Sequence, residues 1–103
     1  MSSAWSGPEA VQFGEAVRLQ PDDTSMRNDY ARALAQNRQF ADAAREWVEV
    51  LRRDPGMTSA HLSVAIALMQ LNRLDEAAVH LREVLRRDPG NDTAKKALAA
   101  IGK

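Results

Sequence analysis

Two histidines, His61 and His80, are the residues of this chain best suited to hold a metal. Zinc takes four ligands from cysteine, histidine or carboxylate at recognisable spacings. The chain has no cysteine, and neither histidine has a second one at ligand spacing. No metal site is expected. The doublets Arg52-Arg53 and Arg86-Arg87 could hold an anion. Each falls at the predicted end of a helix, where positive charge offsets the macrodipole. Glu49 and Glu83 stand three and four residues earlier and can pair with them,. These arginines therefore read as structural. Serine, aspartate and histidine are all present, but no nucleophile elbow and no phosphate-binding glycine loop accompanies them. No catalytic or cofactor-binding residue is assigned, and the chain reads as a protein that is not an enzyme.

Composition narrows the class further. The chain has 103 residues, enough for one domain,. Hydrophobic residues make up 45%, but 18 residues of the chain are alanine and aromatics are only 5%. Such a balance favours helices over strands. Fourteen basic and fourteen acidic residues cancel, which argues against nucleic acid or a membrane surface as partner. Lys95, Lys96 and Lys103 make the C-terminal end weakly basic, as a solvated face often is. Met1 to Gly7 lacks the charged start and apolar run of a signal peptide. No stretch approaches the length of a membrane span. A cytoplasmic location is expected.

The elements that position these residues come from an internal repeat. Leu51-Arg-Arg-Asp-Pro-Gly56 recurs as Leu85-Arg-Arg-Asp-Pro-Gly90, 34 positions later. Pro21 and Pro55 obey the same interval. Laid over 58–91 without a gap, 24–57 is identical at 16 of 34 positions. Each unit holds two amphipathic helix patterns, over 25–37 and 40–53, then over 59–71 and 74–87. Arg38-Gln39 and Asn72-Arg73 are short polar turns that suit antiparallel helix pairs. Asn72 tolerates the left-handed backbone that often ends a helix. Asp-Pro closes each unit, because proline disfavours helical geometry in the residue before it. The register predicts a lone second-type helix over 8–19 and a closing first-type helix over 92–101.

This period and pattern resemble the tetratricopeptide repeat family over nearly the whole chain. The small positions are Ala31 and Ala43 in the first unit and Ala65 and Ala77 in the second. The bulky residue after each second small one is Trp47 or Leu81. Tyr30 and Val64, Leu34 and Leu68, and the terminal Pro55 and Pro89 complete the match. Arg27 and His61 depart from it, because a large apolar residue is usual there. The resemblance implies an all-α, right-handed solenoid of antiparallel helix pairs. About two and a half repeats form one domain over 1–103, with units at 24–57 and 58–91.

The resemblance also implies a protein-interaction scaffold. First-type helices would line a concave groove that holds a protein or peptide. By register its wall includes Asn28, Arg32 and Gln36 in the first unit, and Leu62, Ile66, Met69 and Gln70 in the second. Leu62, Ile66 and Met69 fall at i, i+4 and i+7 on one helical face. The second first-type helix is thus apolar almost all round, and such a helix is usually buried on every side. Either a partner covers that stripe, as exposed apolar patches often signal, or neighbouring side chains bury it. Some family members clamp a C-terminal carboxylate with Lys and Asn at groove positions. Here those positions are Asn28, Arg32, Ser63, Thr93 and Ala97, without the usual lysine, so that clamp is not expected.

Two alternatives stand beside the scaffold reading. One is self-assembly into a homo-oligomer through open repeat edges, and the other is an accessory domain of a larger enzyme. Unpaired repeat ends tend to need caps, and the predicted edge around Trp5 and Phe13 is expected to be covered by the N-terminal segment or by a second copy. Light scattering and thermal melts on the intact chain and on one lacking residues 1–19 test this. Truncation should change the number of copies per particle or lower the stability. An unchanged, equally stable monomer would remove the idea.

Overall fold

Five helices follow one another in this computed structural model, which describes residues 24–102. They are α1 (Thr24–Gln36), α2 (Phe40–Arg53), α3 (Thr58–Gln70), α4 (Leu74–Arg87) and α5 (Asp92–Ile101). No strand occurs among the described residues. α1 and α3 begin and end one residue earlier than the periodicity predicts, and the other three match it. The helix predicted over 8–19, with Trp5 and Phe13, lies outside the described residues. Each helix packs on the next: α1 on α2, α2 on α3, α3 on α4 and α4 on α5. The extents of 40 × 26 × 18 Å describe an open stack rather than a closed bundle. Among the described residues, no helix is long and apolar enough to cross a membrane.

The two units turn in the same way because the same hydrogen bonds close them. At the end of α1, Gln39 N–H donates to Leu34 O and Arg38 N–H to Ala35 O, both at 2.9 Å. At the end of α3, Arg73 N–H donates to Leu68 O at 2.9 Å and Asn72 N–H to Met69 O at 3.0 Å. This paired pattern satisfies carbonyls that the helix leaves open, and it needs one left-handed residue. Asn72 takes that conformation at φ 60°, and Arg38 takes it at φ 64°. Asparagine is well suited to the position, whereas arginine carries a steric cost there. Asp54 and Asp88 end α2 and α4 alike, their N–H groups donating to Val50 O and Val84 O. α5 starts on a side-chain cap, Ala94 N–H donating to Asn91 Oδ1 at 2.9 Å. Such a cap fills one of the open donors of a first turn.

Small residues set the distance between helices. Ala31, Ala43, Ala60, Ala65, Ala77 and Ala94 are all fully buried. The larger core side chains Trp47, Val50, Val64, Leu81 and Val84 fill the spaces between these contacts. α3 is flanked by α2 and α4, so two of its sides face protein. That placement accounts for most of its apolar circumference: Ala60, Val64, Ala65, Ala67 and Leu68 are all buried. Ala77→Leu would push extra methylene groups into a filled contact and should cost about 1–3 kcal/mol. A thermal melt of this variant matching the parent would show that α4 does not approach its neighbours through Ala77.

Candidate functional site

α1 and α3 are the two first-type helices of the full units, and α2 stands between them. Together they enclose a concavity of about 280 Å³. Arg32, Ala35 and Gln36 line it from α1, Phe40 and Trp47 from α2, and Ser63, Ile66 and Ala67 from α3. Arg32, Gln36 and Ile66 are the groove residues of the sequence reading that this space brings together. Ile66 is 42% exposed although it is apolar. Arg32 is the charged residue among the described lining. Its nearest carboxylate, Asp29, is 3.4 Å away, and both side chains are largely exposed. A surface pair of this kind contributes only about 0–1 kcal/mol, so it leaves the guanidinium available.

The other predicted groove residues lie elsewhere. Leu62 and Met69 are partly buried and pack against the core. Packing therefore explains two members of the apolar stripe, and Ile66 is the member it does not explain. Gln70 is exposed at the end of α3 and does not line the concavity. Asn28 turns to its own unit: Trp47 Nε1–H donates to Asn28 Oδ1 at 2.8 Å. The indole is only 3% exposed, so its N–H needs a protein acceptor. By repeat register, Asn28 and Trp47 correspond to Leu62 and Leu81. An indole brings an acceptor with it, and a leucine brings another leucine.

Phe40 and Trp47 contribute to the concavity from the second-type helix, and the sequence reading missed both. The repeat register places Trp47 in the space between helices and gives Phe40 no role beyond the start of its helix. Trp47 is indeed buried there, yet one side of it forms part of the floor. Phe40 is partly buried at the start of α2, with the Arg38 guanidinium 6.0 Å from its ring centroid. A bulky aromatic directly after the turn was the one signal available for it.

The departures from the repeat pattern have partners. Arg27 Nη1 donates to Glu46 Oε1 at 2.7 Å, joining α1 to α2 with both side chains largely buried. In the second unit His61 and His80 meet, Nδ1 to Nδ1, at 3.0 Å. α3 and α4 carry one histidine each, and the packing of this helix pair brings the two into contact. Burial, followed by the neighbouring Glu46 and Asp42 carboxylates, raises the Tyr30 pKa above its ordinary value. The arginine doublets are engaged locally: Glu49 accepts from Arg53 at 3.2 Å, and Glu83 accepts from Arg87 at 2.7 Å and from Arg86 at 3.1 Å. Hydrogen bonds from Arg86 and Arg87 hold the Glu83 carboxyl down to about 2. Among the described residues, no group of three or more histidine, cysteine or carboxylate side chains is placed to hold a metal.

A second furrow, of about 460 Å³, runs between α2 and α4 over Val64 and Leu68. Its walls carry Arg45, Glu46, Glu49, Arg52, Arg73 and Glu76. Several of these charges are already paired, Arg73 with Glu76 at 2.6 Å and Arg52 with Glu49 at 3.5 Å. The first concavity differs in its aromatic side chains, Phe40 and Trp47, and in carrying one loosely held cation in place of several paired charges.

Asn28→Ala should cost about 1–3 kcal/mol, because the buried indole N–H loses its acceptor. In a Trp47→Leu background the same change should cost clearly less. Urea denaturation of the four chains reads this coupling, and equal costs in both backgrounds would refute the pairing.

The repeat profile described as Tetratricopeptide repeat matches residues 8–58 and again 31–92. No curated protein matches the chain in sequence.

Proposed function

This chain belongs to the tetratricopeptide repeat family, and from that premise we propose that it is a non-catalytic scaffold that holds a peptide or amphipathic helix between α1 and α3. Repeats of this family are in general protein–protein interaction modules. The observation that carries the reading is the exposed Ile66 in a concavity with an aromatic floor and Arg32 at its side. An apolar side chain seated against Ile66, Phe40 and Trp47 would leave water on both partners. An acidic flank would meet Arg32, whose guanidinium suits a carboxylate. The ligand class is thus a short segment with one or two apolar anchors and an adjacent acidic residue. Anchors seated at neighbouring turns of a helix would come from i and i+4 of that segment.

The test uses a panel of amphipathic peptides with and without an acidic flank, followed by amide chemical shifts. Acid-flanked peptides should shift residues of α1 and α3 around Arg32 and Ile66. Ile66→Ser removes a contact of about 1.5–3 kcal/mol, roughly a 10- to 150-fold loss of affinity. Its melt should stay close to the parent, because Ile66 is not part of the core cluster. Arg32→Glu should weaken acid-flanked peptides selectively, and more so at low salt. Acid-flanked binding that survives both changes in folded chains would move the interaction to another face. Met69→Ser is a poor substitute in this test, since Met69 packs against the core.

A further inference from the structure

The two units join their helices at equivalent points with different chemistry. In the first, the brace is the ion pair Arg27–Glu46. In the second, the same two positions are His61 and His80, whose rings lie 5.3 Å apart between centroids with a 38° angle between planes. A bridge of fixed charge has been replaced by two imidazoles, a side chain whose charge is not fixed.

The surrounding hydrogen bonds assign the protons. His61 Nε2 lies 3.0 Å from Pro55 O, and a carbonyl oxygen can only accept. His61 therefore carries its proton on Nε2 and presents a lone pair at Nδ1. His80 Nδ1, at 3.0 Å, must then be the donor. One further proton can be taken at His80 Nε2 without disturbing this contact. A second would put N–H groups on both facing Nδ1 atoms and bring two cations together.

Few fixed charges are placed to offset that repulsion. On α4, Glu76 lies one turn before His80 and is engaged by Arg73, and Glu83 lies three residues after it and is engaged by Arg86 and Arg87. From α2, Arg45, Glu46, Glu49 and Arg52 line the same furrow as His80, carrying both signs. α3 has no charged side chain besides His61. The connection after α2 brings Asp54, with Arg87 reaching over Gly56. α5 carries Asp92, Lys95 and Lys96, all exposed, and α1 contributes Arg27, which binds Glu46.

We propose that the His61–His80 contact is a pH-sensitive brace, closed near neutral pH and opened by double protonation, which loosens α3 from α4 in mild acid. The first unit, joined by Arg27 and Glu46, keeps its brace over the same range. Burial and then the neighbouring His61 lower the His80 pKa, while Glu76 opposes them. A lowered value means that the folded chain binds protons less readily than the unfolded one. The stability contributed is complete above the unfolded histidine value of about 6.5 and is lost as pH falls through the folded value.

Urea denaturation of the full chain between pH 8 and pH 5, with a chelator present, tests the brace. Each proton the folded state refuses lowers the folding constant by up to roughly 30-fold at pH 5. A chain with His61→Arg and His80→Glu copies the first unit's brace and should lose most of that pH dependence. Titration of the imidazole C–H signals in the parent gives a second reading, needed if the double variant does not fold. His80 should titrate below the ordinary histidine range, in a curve coupled to that of His61. An equal acid loss in the double variant overturns the proposal. So do two independent histidine titrations at ordinary values.

Discussion

Close helix approach at alanine is the constraint on which the rest of this structure depends. A helix pair can come together tightly only where both surfaces are small, and every helix here offers a fully buried alanine or an equivalent short contact,. Those contacts set the spacing, and the spacing sets how much room remains for Trp47, Leu81 and the valines between them. The concavity beside α1 and α3 is a consequence. α2 packs against both first-type helices, and Ile66, beside the space between them, stays in contact with solvent.

Once that frame is built, the two units diverge in matched pairs rather than position by position. Asn28 with Trp47 becomes Leu62 with Leu81, so a hydrogen-bonded indole gives way to two apolar side chains. Arg27 with Glu46 becomes His61 with His80. In both cases an unmatched exchange would leave a polar group without its partner in a place of low solvent access, which costs more than the pair itself contributes. The polar residues that depart from the repeat pattern are therefore parts of braces between helices.

The groove follows the same logic from the opposite side. Arg32 and Ile66 are equivalent by register, and neither is part of the core cluster. Their chemistry is free of packing demands in a way that Asn28, Leu62 and Met69 are not. The second furrow carries more charge, but its ions face one another and compensate locally. The α1–α3 concavity holds apolar surface with a weakly engaged guanidinium, which leaves attraction to spare for a ligand.

How much of this was legible in the sequence divides along a physical line. Periodicity and punctuation act within one helix or one turn, so the 34-residue interval, the helix ends and the buried alanines could be read directly. Asn72 announced its left-handed turn, whereas Arg38 did not, because arginine occupies that conformation only when the repeat geometry imposes it. The apolar stripe of α3 was visible, but not its division. Whether Leu62 and Met69 or Ile66 meets water depends on where α2 and α4 lie, and helical periodicity carries no record of neighbours. The contact of His61 with His80, the hydrogen bond from Trp47 to Asn28 and the share of Phe40 in the groove all cross between helices. Their distances exist only after two chain segments pack, and tertiary structure alone decides them.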